Sequence, residues 1–194
     1  MPRVADLTRK TGETDVTVKL VIDGSGTAAV ETGLGFLDHM LAALTRHSGF
    51  DLSLDARGDL GVDDHHTVED SAIVLGRAID DALGDREGIR RFGVGYAPLD
   101  ESLCRAVVDL SGRPWPQIDI PFARPVVGDV ATENIIHFFR SIAIEARMAL
   151  HMDLIRGDND HHKAESAFKA LALALRAAVT PTGGGVPSTK GSLR

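Results

Sequence analysis

The sequence predicts a mixed α/β (α+β) fold in which a ββαβα unit occurs twice. Three observations support this prediction. Short segments alternate apolar and polar residues, as strands with one buried face do. Longer segments place apolar residues three and four positions apart, which is typical of helices that bury one face. The order of these segments is the same in both halves of the chain, so we infer an internal duplication.

The first half, residues 1–92, contains five such segments. In order they predict two strands, a helix, a strand and a long helix: DVTVKLVID, TAAVET, GFLDHMLAALTRHSG, FDLSLDARG and HHTVEDSAIVLGRAIDDALG. The GSG between the first two predicts a turn, so TAAVET is expected to pair back on DVTVKLVID. Gly49 is expected to end the first helix. Ala72, Leu75 and Ile79 define the apolar face of the second.

The second half, residues 93–180, repeats this order. Its segments predict a strand–turn–strand, a helix, a short strand and a helix: VGYAPLDESLCRAVVDLSG, TENIIHFFRSIAIEARMALH, MDLIRG and HHKAESAFKALALALRAAV. Thr132 is expected to be the N-cap of the first of these helices. RPWPQIDIPFARPVVGD, residues 113–129, has no predicted counterpart in the first half. Residues 181–194 are rich in Gly, Pro, Ser and Thr, which predicts a C-terminal loop or arm.

Composition narrows the class of protein. The chain has 194 residues, 43% hydrophobic and 25% charged, as expected for a globular protein with a sizeable core. Its net charge of -7 argues against nucleic acid as a partner. The single cysteine excludes an intramolecular disulfide. No apolar run approaches the ~20 residues of a membrane span, and the N-terminus lacks the apolar centre of a signal peptide. We therefore expect a cytoplasmic protein with no membrane partner.

Two adjacent histidine pairs carry the functional signal. DDHHTVED (63–70) and DNDHHKAES (158–166) each place a glutamate four residues after the first histidine. On a helix these two positions share one face, so His65 with Glu69, and His161 with Glu165, can bind one ion together. The second histidine of each pair points about 100° away. This pattern predicts two metal ions, each served by both halves of the duplication.

One further histidine in each half completes the candidate set. His39 and His137 lie on the first helix of their halves, 98 residues apart, and the His-His pairs are 96 residues apart. The eight candidate ligands are His39, His65, His66, Glu69, His137, His161, His162 and Glu165. Pseudo-symmetry suggests that His65, Glu69, His137 and His162 bind one ion, and that His161, Glu165, His39 and His66 bind the other.

The ligand chemistry indicates a catalytic site. Four N and O ligands without thiolate suit Mn, Fe, Ni or Zn. They leave two octahedral positions open, which is typical of catalysis.

Other polar residues outside the metal-ligand set have simpler interpretations. His47 and His151 are expected to be ordinary surface or core residues. Asp63 and Asp158 are expected to act as helix N-terminal charges, and PSTKG (187–191) is a candidate phosphate contact because it combines hydroxyls, a lysine and preceding glycines.

At these motifs the chain resembles imidazoleglycerol-phosphate dehydratase, a family of histidine biosynthesis. The resemblance is carried by RKTGETDV, GFLDHML, DDHHTVED, GIRRFG, DESLCRAVVDLSGRP, HFFRSIA, DNDHHKAESAFKALALALRAA and STKGSL, in this order. It implies removal of water from D-erythro-imidazole glycerol phosphate to give imidazole acetol phosphate. It also implies two sheets packed against a four-helix layer, two Mn ions per active site, and a homo-24-mer with active sites at subunit interfaces.

The resemblance also implies site residues. The family's metal ligands fall on the eight residues chosen from spacing, of which His65, Glu69, His161 and Glu165 are counted as catalytic together with Glu13. Its substrate contacts fall on Glu13, Arg91, Arg113, Lys169, Ser188, Thr189 and Lys190. Of these, Arg91, Arg113, Ser188 and Lys190 are expected to hold the phosphate.

A mechanism follows from this substrate. Its reacting C–H is not acidic, but its imidazole can become imidazolate between two metals and expel the adjacent hydroxyl. The resulting diazafulvene acidifies the neighbouring C–H, and Glu13 is the candidate base that removes the proton. Two alternatives remain open: a di-metal phosphoester hydrolase, and a metal-storage or metal-assembled protein without catalysis. Ketone, free phosphate or no product would separate the three.

Overall fold

A computed structural model describes residues 3–186, 188, 189, 191 and 193. The first half contains β1 (Val4–Lys10), β2 (Thr14–Val21), β3 (Ala28–Glu31), α1 (Gly35–Ser48), β4 (Asp51–Gly58) and α2 (His65–Leu83). The second half contains β5 (Phe92–Leu99), β6 (Ser102–Asp109), β7 (Trp115–Asp119), β8 (Val126–Val127), β9 (Val130–Ala131), α3 (Thr132–Glu145), β10 (Ala149–Arg156) and α4 (Asp160–Ala178).

Two four-stranded sheets repeat one topology. Their strand orders are β1-β2-β4-β3 and β5-β6-β10-β7. In each sheet the last pair, β3 with β4 and β7 with β10, is parallel, and the other pairs are antiparallel. The mixed α/β class with two sheets and four helices is confirmed. The predicted ββαβα unit has three strands, and each half contains a fourth strand in its main sheet.

Three strand predictions need correction. β1 was not predicted, because its residues are only alternately exposed and half-buried and so carry a weak apolar pattern. TAAVET pairs with β4 and not with β2, since the backbone N–H groups of Ser25 and Thr27 donate to the Asp51 carboxylate and direct the chain towards β4. The segment treated as extra, residues 113–129, contains β7, the counterpart of β3.

The helix ends agree with the sequence in part. Gly49 ends α1 in the left-handed conformation, with φ of 80°. Thr132 is not an N-cap: α3 begins at this residue, and its hydroxyl donates to the carbonyl of Arg124 at 2.9 Å. The N-cap of α4 is Asn159, whose side chain accepts from the backbone N–H of His161.

The helices join the two halves. α2 packs on β1, β2 and β4 and against α3, while α4 packs on β5 and β6 and against α1. The contact between α4 and β5 is close enough to require glycine: a Cβ on Gly93 would lie 1.9 Å from the carbonyl oxygen of Ala174. Among the described residues, no helix has the length and hydropathy needed to cross a membrane.

Candidate metal centre

The first cluster lies where α2 meets α3. His65 and Glu69 are one turn apart at the start of α2, and His137 comes from the second turn of α3. His137 Nε2 is 2.9 Å from Glu69 Oε1, and His65 Nε2 is 3.7 Å from Glu69 Oε2. The ligand atoms of all three lie within 4.8 Å of one another.

The second cluster is its counterpart where α4 meets α1. His161 and Glu165 are one turn apart at the start of α4, and His39 comes from the second turn of α1. Glu165 Oε2 is 3.2 Å from His39 Nε2 and 3.3 Å from His161 Nε2. These three ligand atoms also lie within 4.8 Å of one another.

Both clusters fit a transition-metal ion. Donor atoms about 2.1 Å from a shared ion lie about 3 to 4 Å apart, which is the spacing seen here. The donor set of imidazole and carboxylate without thiolate suits a borderline divalent metal. Six of the eight predicted ligands are therefore gathered, three and three, in the groups that pseudo-symmetry suggests.

The other two predicted ligands, His66 and His162, join neither cluster within one chain. His66 Nδ1 is 3.1 Å from both carboxylate oxygens of Asp59, and His162 Nδ1 is 2.7 Å from Glu101 Oε2. Each carboxylate holds its ring through Nδ1. The Nε2 atoms lie near other carboxylates, that of His66 at 3.7 Å from Glu13 and that of His162 at 3.8 Å from Asp100. Hydrogen bonding to Asp59 is also the main reason that the pKa of His66 is raised above 6.5.

Carboxylates from each half hold the helix starts of the other. Asp129 accepts from the backbone N–H groups of Gly35, at 2.6 Å, and Phe36, at 3.0 Å, at the start of α1. Asp64 accepts from the N–H of Ala131, immediately before α3, at 2.8 Å. The helices that carry His39 and His137 are thereby braced from the opposite half.

Other acidic residues have structural roles. Asp63 accepts from the backbone N–H of His65 at 2.9 Å, as expected of a helix N-terminal charge. Asp70 binds Arg9 and Thr14 and so ties α2 to the first sheet. Asp160 accepts from two backbone N–H groups before β8 and pairs with Lys163 at 2.8 Å.

Glu165 and Lys169 form an ion pair inside the second cluster. Lys169 Nζ is 2.6 Å from Glu165 Oε1. Burial opposes ionisation of Glu165, but hydrogen bonds from Lys169 and His39 outweigh it, so the pKa of this carboxyl is lowered. Glu13, on the turn between β1 and β2, places its carboxylate 3.7 Å from His66 Nε2.

The predicted phosphate contacts lie elsewhere in the chain. The backbone N–H of Arg91 donates to the carbonyl of Ala178, at the end of α4 opposite His161. At 1.5 Å per residue this separates them by about 25 Å. The Arg91 guanidinium binds Asp109 at 2.6 Å, and Arg113 follows β6 nearby and is exposed. Ser188 and Thr189 are described, whereas Lys190 lies outside the described residues.

Sequence reasoning missed the groups that orient the histidines. These are Asp59, Glu101 and Asn134, whose Oδ1 is 2.9 Å from His65 Nδ1. Asp59 lies seven residues before its histidine, but Glu101 and Asn134 are 61 and 69 positions from theirs, so no local spacing could indicate them.

Comparison with known proteins gives one consistent result. The family model of imidazoleglycerol-phosphate dehydratase matches residues 32–175. An imidazoleglycerol-phosphate dehydratase from Chlorobium luteolum is 54% identical over 192 residues, covering 99% of this chain and 96% of its own. One from Methanothermobacter thermautotrophicus is 55% identical over 186 residues, covering 96% of this chain and 95% of its own. A relative of the same name from Phytophthora nicotianae is 56% identical over 192 residues, and the chain spans 42% of its length.

Solved structures agree. The crystal structure of the Staphylococcus aureus enzyme of this name covers 92% of this chain and 99% of its own, with a TM-score of 0.84 and 39% identity. The crystal structure of the enzyme from Pyrococcus furiosus covers 96% of this chain and 99% of its own, with the same TM-score and 33% identity. Because the family model matches most of the chain and these relatives align over nearly all of it, the chain belongs to the imidazoleglycerol-phosphate dehydratase family, a family of hydro-lyases.

Proposed function

We propose that this chain removes water from D-erythro-imidazole glycerol phosphate to give imidazole acetol phosphate, a step of histidine biosynthesis. The observation that carries the proposal is the pair of matched His/His/Glu clusters, each sized for one divalent ion. A substrate whose imidazole has two ring nitrogens suits a site with two ions. The family relationship supports the same reaction.

We propose Mn(2+) as the ion in both sites, although the donor set also suits neighbouring divalent metals. His65, Glu69 and His137 would hold one ion, and His39, His161 and Glu165 the other. The fourth ligand of each would come from another subunit, because His66 and His162 belong to neither cluster of their own chain. A neighbour's His162 would then be the fourth ligand of the first site, and a neighbour's His66 the fourth ligand of the second.

This arrangement requires an assembly. The start of α2 in one chain, carrying the first cluster and His66, would face the start of α4 in the next, carrying the second cluster and His162. Each chain would contribute to two active sites. Arg91 lies about 25 Å from its own second cluster, so it too would reach a site formed with another subunit. A homo-24-mer with active sites at subunit interfaces agrees with these requirements.

The substrate would react in three stages. The two ions, when bound, supply positive charge that lowers the pKa of the substrate's ring nitrogens. The ring gives up its N–H proton, and the imidazolate form of the substrate then expels its adjacent hydroxyl as hydroxide and becomes a diazafulvene. The hydroxide takes up the released proton and leaves as water. Glu13 then takes the proton from the neighbouring carbon, and the enol that results tautomerises to the ketone. The position of the Glu13 carboxylate, 3.7 Å from His66 Nε2, supports this role.

The remaining predicted contacts would bind the substrate's other end. Arg91, Arg113, Ser188 and Lys190 would hold the phosphate, with Thr189 beside them, and Lys169 would contact the substrate next to the second ion. The division into halves 1–92 and 93–180 with a substrate-binding tail at 181–194 belongs to this proposal, as does a cytoplasmic location.

Product analysis tests the proposal. The purified chain, stripped of metal and then given Mn(2+), should convert imidazole glycerol phosphate to imidazole acetol phosphate, and His65→Ala should abolish conversion. His151→Ala is the matched control, because His151 lies on the outer, exposed face of β10 and belongs to neither cluster. Release of free phosphate would favour the hydrolase instead, and bound Mn(2+) without any product would favour storage.

A further inference from the structure

The two clusters are related by the duplication, but their surroundings differ at matched positions. We propose that the two sites bind their ions with unequal affinity, and that the site of His65, Glu69 and His137 is the tighter one. This inference rests on the proposed function of the clusters as metal sites. Three differences between the sites support it: the carboxylate oxygens available, the nearby charge, and the anchoring of one histidine.

The carboxylates present different numbers of free oxygens. Glu69 directs Oε1 to His137, at 2.9 Å, and Oε2 to His65, at 3.7 Å, so both oxygens face the first site. Glu165 directs only Oε2 to its histidines, because Oε1 is bound by Lys169 at 2.6 Å. The first site therefore offers one more oxygen donor than the second.

A fixed positive charge is in contact with the carboxylate ligand of the second site. Lys169 is four residues after Glu165, and the matched residue, four after Glu69, is Ile73. The Lys169 and Glu165 side chains are only 19% and 13% exposed, so solvent screens the ammonium weakly. A permanent cation at this distance repels a second cation.

The first site also has a cationic side chain nearby, but this side chain does not contact the carboxylate ligand Glu69. Arg140 lines the hollow beside Glu69 and His137. Its guanidinium forms no ion pair with Glu69 or with any other residue that the structure describes. Lys169 is therefore the residue that makes the charge next to the carboxylate ligand different in the two sites.

The third difference is the anchoring of one histidine. Asn134 Oδ1 is 2.9 Å from His65 Nδ1, which places the proton on Nδ1 and leaves Nε2 free for the ion. Asn134 lies three residues before His137, and the matched residue before His39 is Phe36. The Phe36 ring meets the His161 ring edge-on with centroids 5.3 Å apart, and a phenyl ring cannot fix the tautomer of an imidazole. His161 is therefore less well prepared for an ion than His65.

Direct titration tests the inference. Metal-free, full-length chain is titrated with Mn(2+) while the electron paramagnetic resonance signal of the free ion is recorded. We expect two classes of one ion per chain, with dissociation constants about tenfold or more apart, the range that outer contacts of metal ligands control. A single class of two equal ions per chain would overturn the inference.

Two variants identify which site is which. Lys169→Met should tighten the weaker class about tenfold and bring the two classes together. Ile73→Lys should instead weaken the tighter class. Lys19→Met is the control for loss of one positive charge, because Lys19 is exposed on the first sheet. Circular dichroism checks that each variant is folded. If Lys169→Met leaves both classes unchanged in folded protein, the inference is wrong.

The titration also separates this inference from the proposed function. Two equal ions together with Mn-dependent turnover would overturn the unequal affinities and leave the dehydratase proposal intact. A chain that binds no Mn(2+) would overturn both.

Discussion

At the scale of the residue, Asp59 and Glu101 are the groups whose removal is most informative. Each is hydrogen-bonded to the Nδ1 of a histidine that we expect a neighbouring subunit to use. Asp59→Asn should weaken Mn(2+) binding about 10- to 100-fold, as losses of such outer contacts do. Glu101→Gln should have the matching effect at the other ion, and titration of both variants measures it. Unchanged binding in either would show that its carboxylate does not position the ligand.

The Asp59 contact also predicts a pH dependence in the metal-free chain. Since it raises the pKa of His66 above 6.5, its contribution to stability is complete below that value and is lost as the pH rises through the raised pKa. Asp59→Asn should therefore lower the thermal midpoint clearly at about pH 5.5 and little at about pH 9. Equal shifts at both values would mean that the contact does not involve a protonated imidazole.

A substitution of Glu13 distinguishes an effect on the chemical step from an effect on metal binding. If it is the base, Glu13→Gln should lower kcat by about 10²- to 10⁴-fold while the bound Mn(2+) stays unchanged. Metal analysis of the same sample provides the control. Retained kcat would reduce Glu13 to a hydrogen-bonding partner of the substrate.

At the scale of the element, the structure shows which parts of the fold local sequence could give. The helices were predicted because their apolar spacing and the i, i+4 ligand pairs lie within one segment. β1 was missed because an edge strand with little buried surface has little apolar pattern. β3 and β7 were misassigned because their partners, β4 and β10, come after a whole helix in the chain. The pairing of clusters with α1 and α3 followed from symmetry, whereas the carboxylates that brace those helices come from distant loops.

One such brace can be tested directly. Asp129→Ala removes the carboxylate that accepts from Gly35 and Phe36 at the start of α1. Loss of a helix cap costs about 1 kcal/mol, so the free energy of unfolding of the metal-free chain should fall by that amount in a urea titration. Asp119→Ala, at an exposed position of β7, is the control and should change little.

The close contact between α4 and β5 makes a second prediction at this scale. A Cβ on Gly93 would lie 1.9 Å from the Ala174 carbonyl oxygen, so Gly93→Ala must displace the helix from the sheet. We expect a loss of about 3 kcal/mol in the free energy of unfolding, at the upper end of overpacking effects. Gly12→Ala is the matched control, since nothing lies within 4 Å of its added Cβ.

At the scale of the whole molecule, the single chain leaves each site incomplete in the same way. Three predicted ligands of each ion converge, and the fourth histidine of each predicted group belongs to neither cluster of its own chain. The sequence could indicate the grouping through its repeat, but not whether the grouping crosses between chains, because spacing along one chain carries no information about a neighbour. The same geometry makes every proposed active site the joint product of one chain's α2 and another chain's α4.

Mixed assemblies test this joint construction. His65→Ala damages only the α2 side of a site and His161→Ala only the α4 side, so each variant alone should be inactive. If the two are unfolded, mixed in equal amounts and refolded together, random assembly places an intact α2 side opposite an intact α4 side at about one site in four, and activity should return to about that fraction of the unmutated chain. The control is a double variant, His65→Ala with His161→Ala, mixed with either single variant. Because the double variant has neither side intact, no site in that mixture can have both sides, and no activity should return. If both ions were instead held within one chain, every chain in the mixture would lack a ligand, and no activity would return.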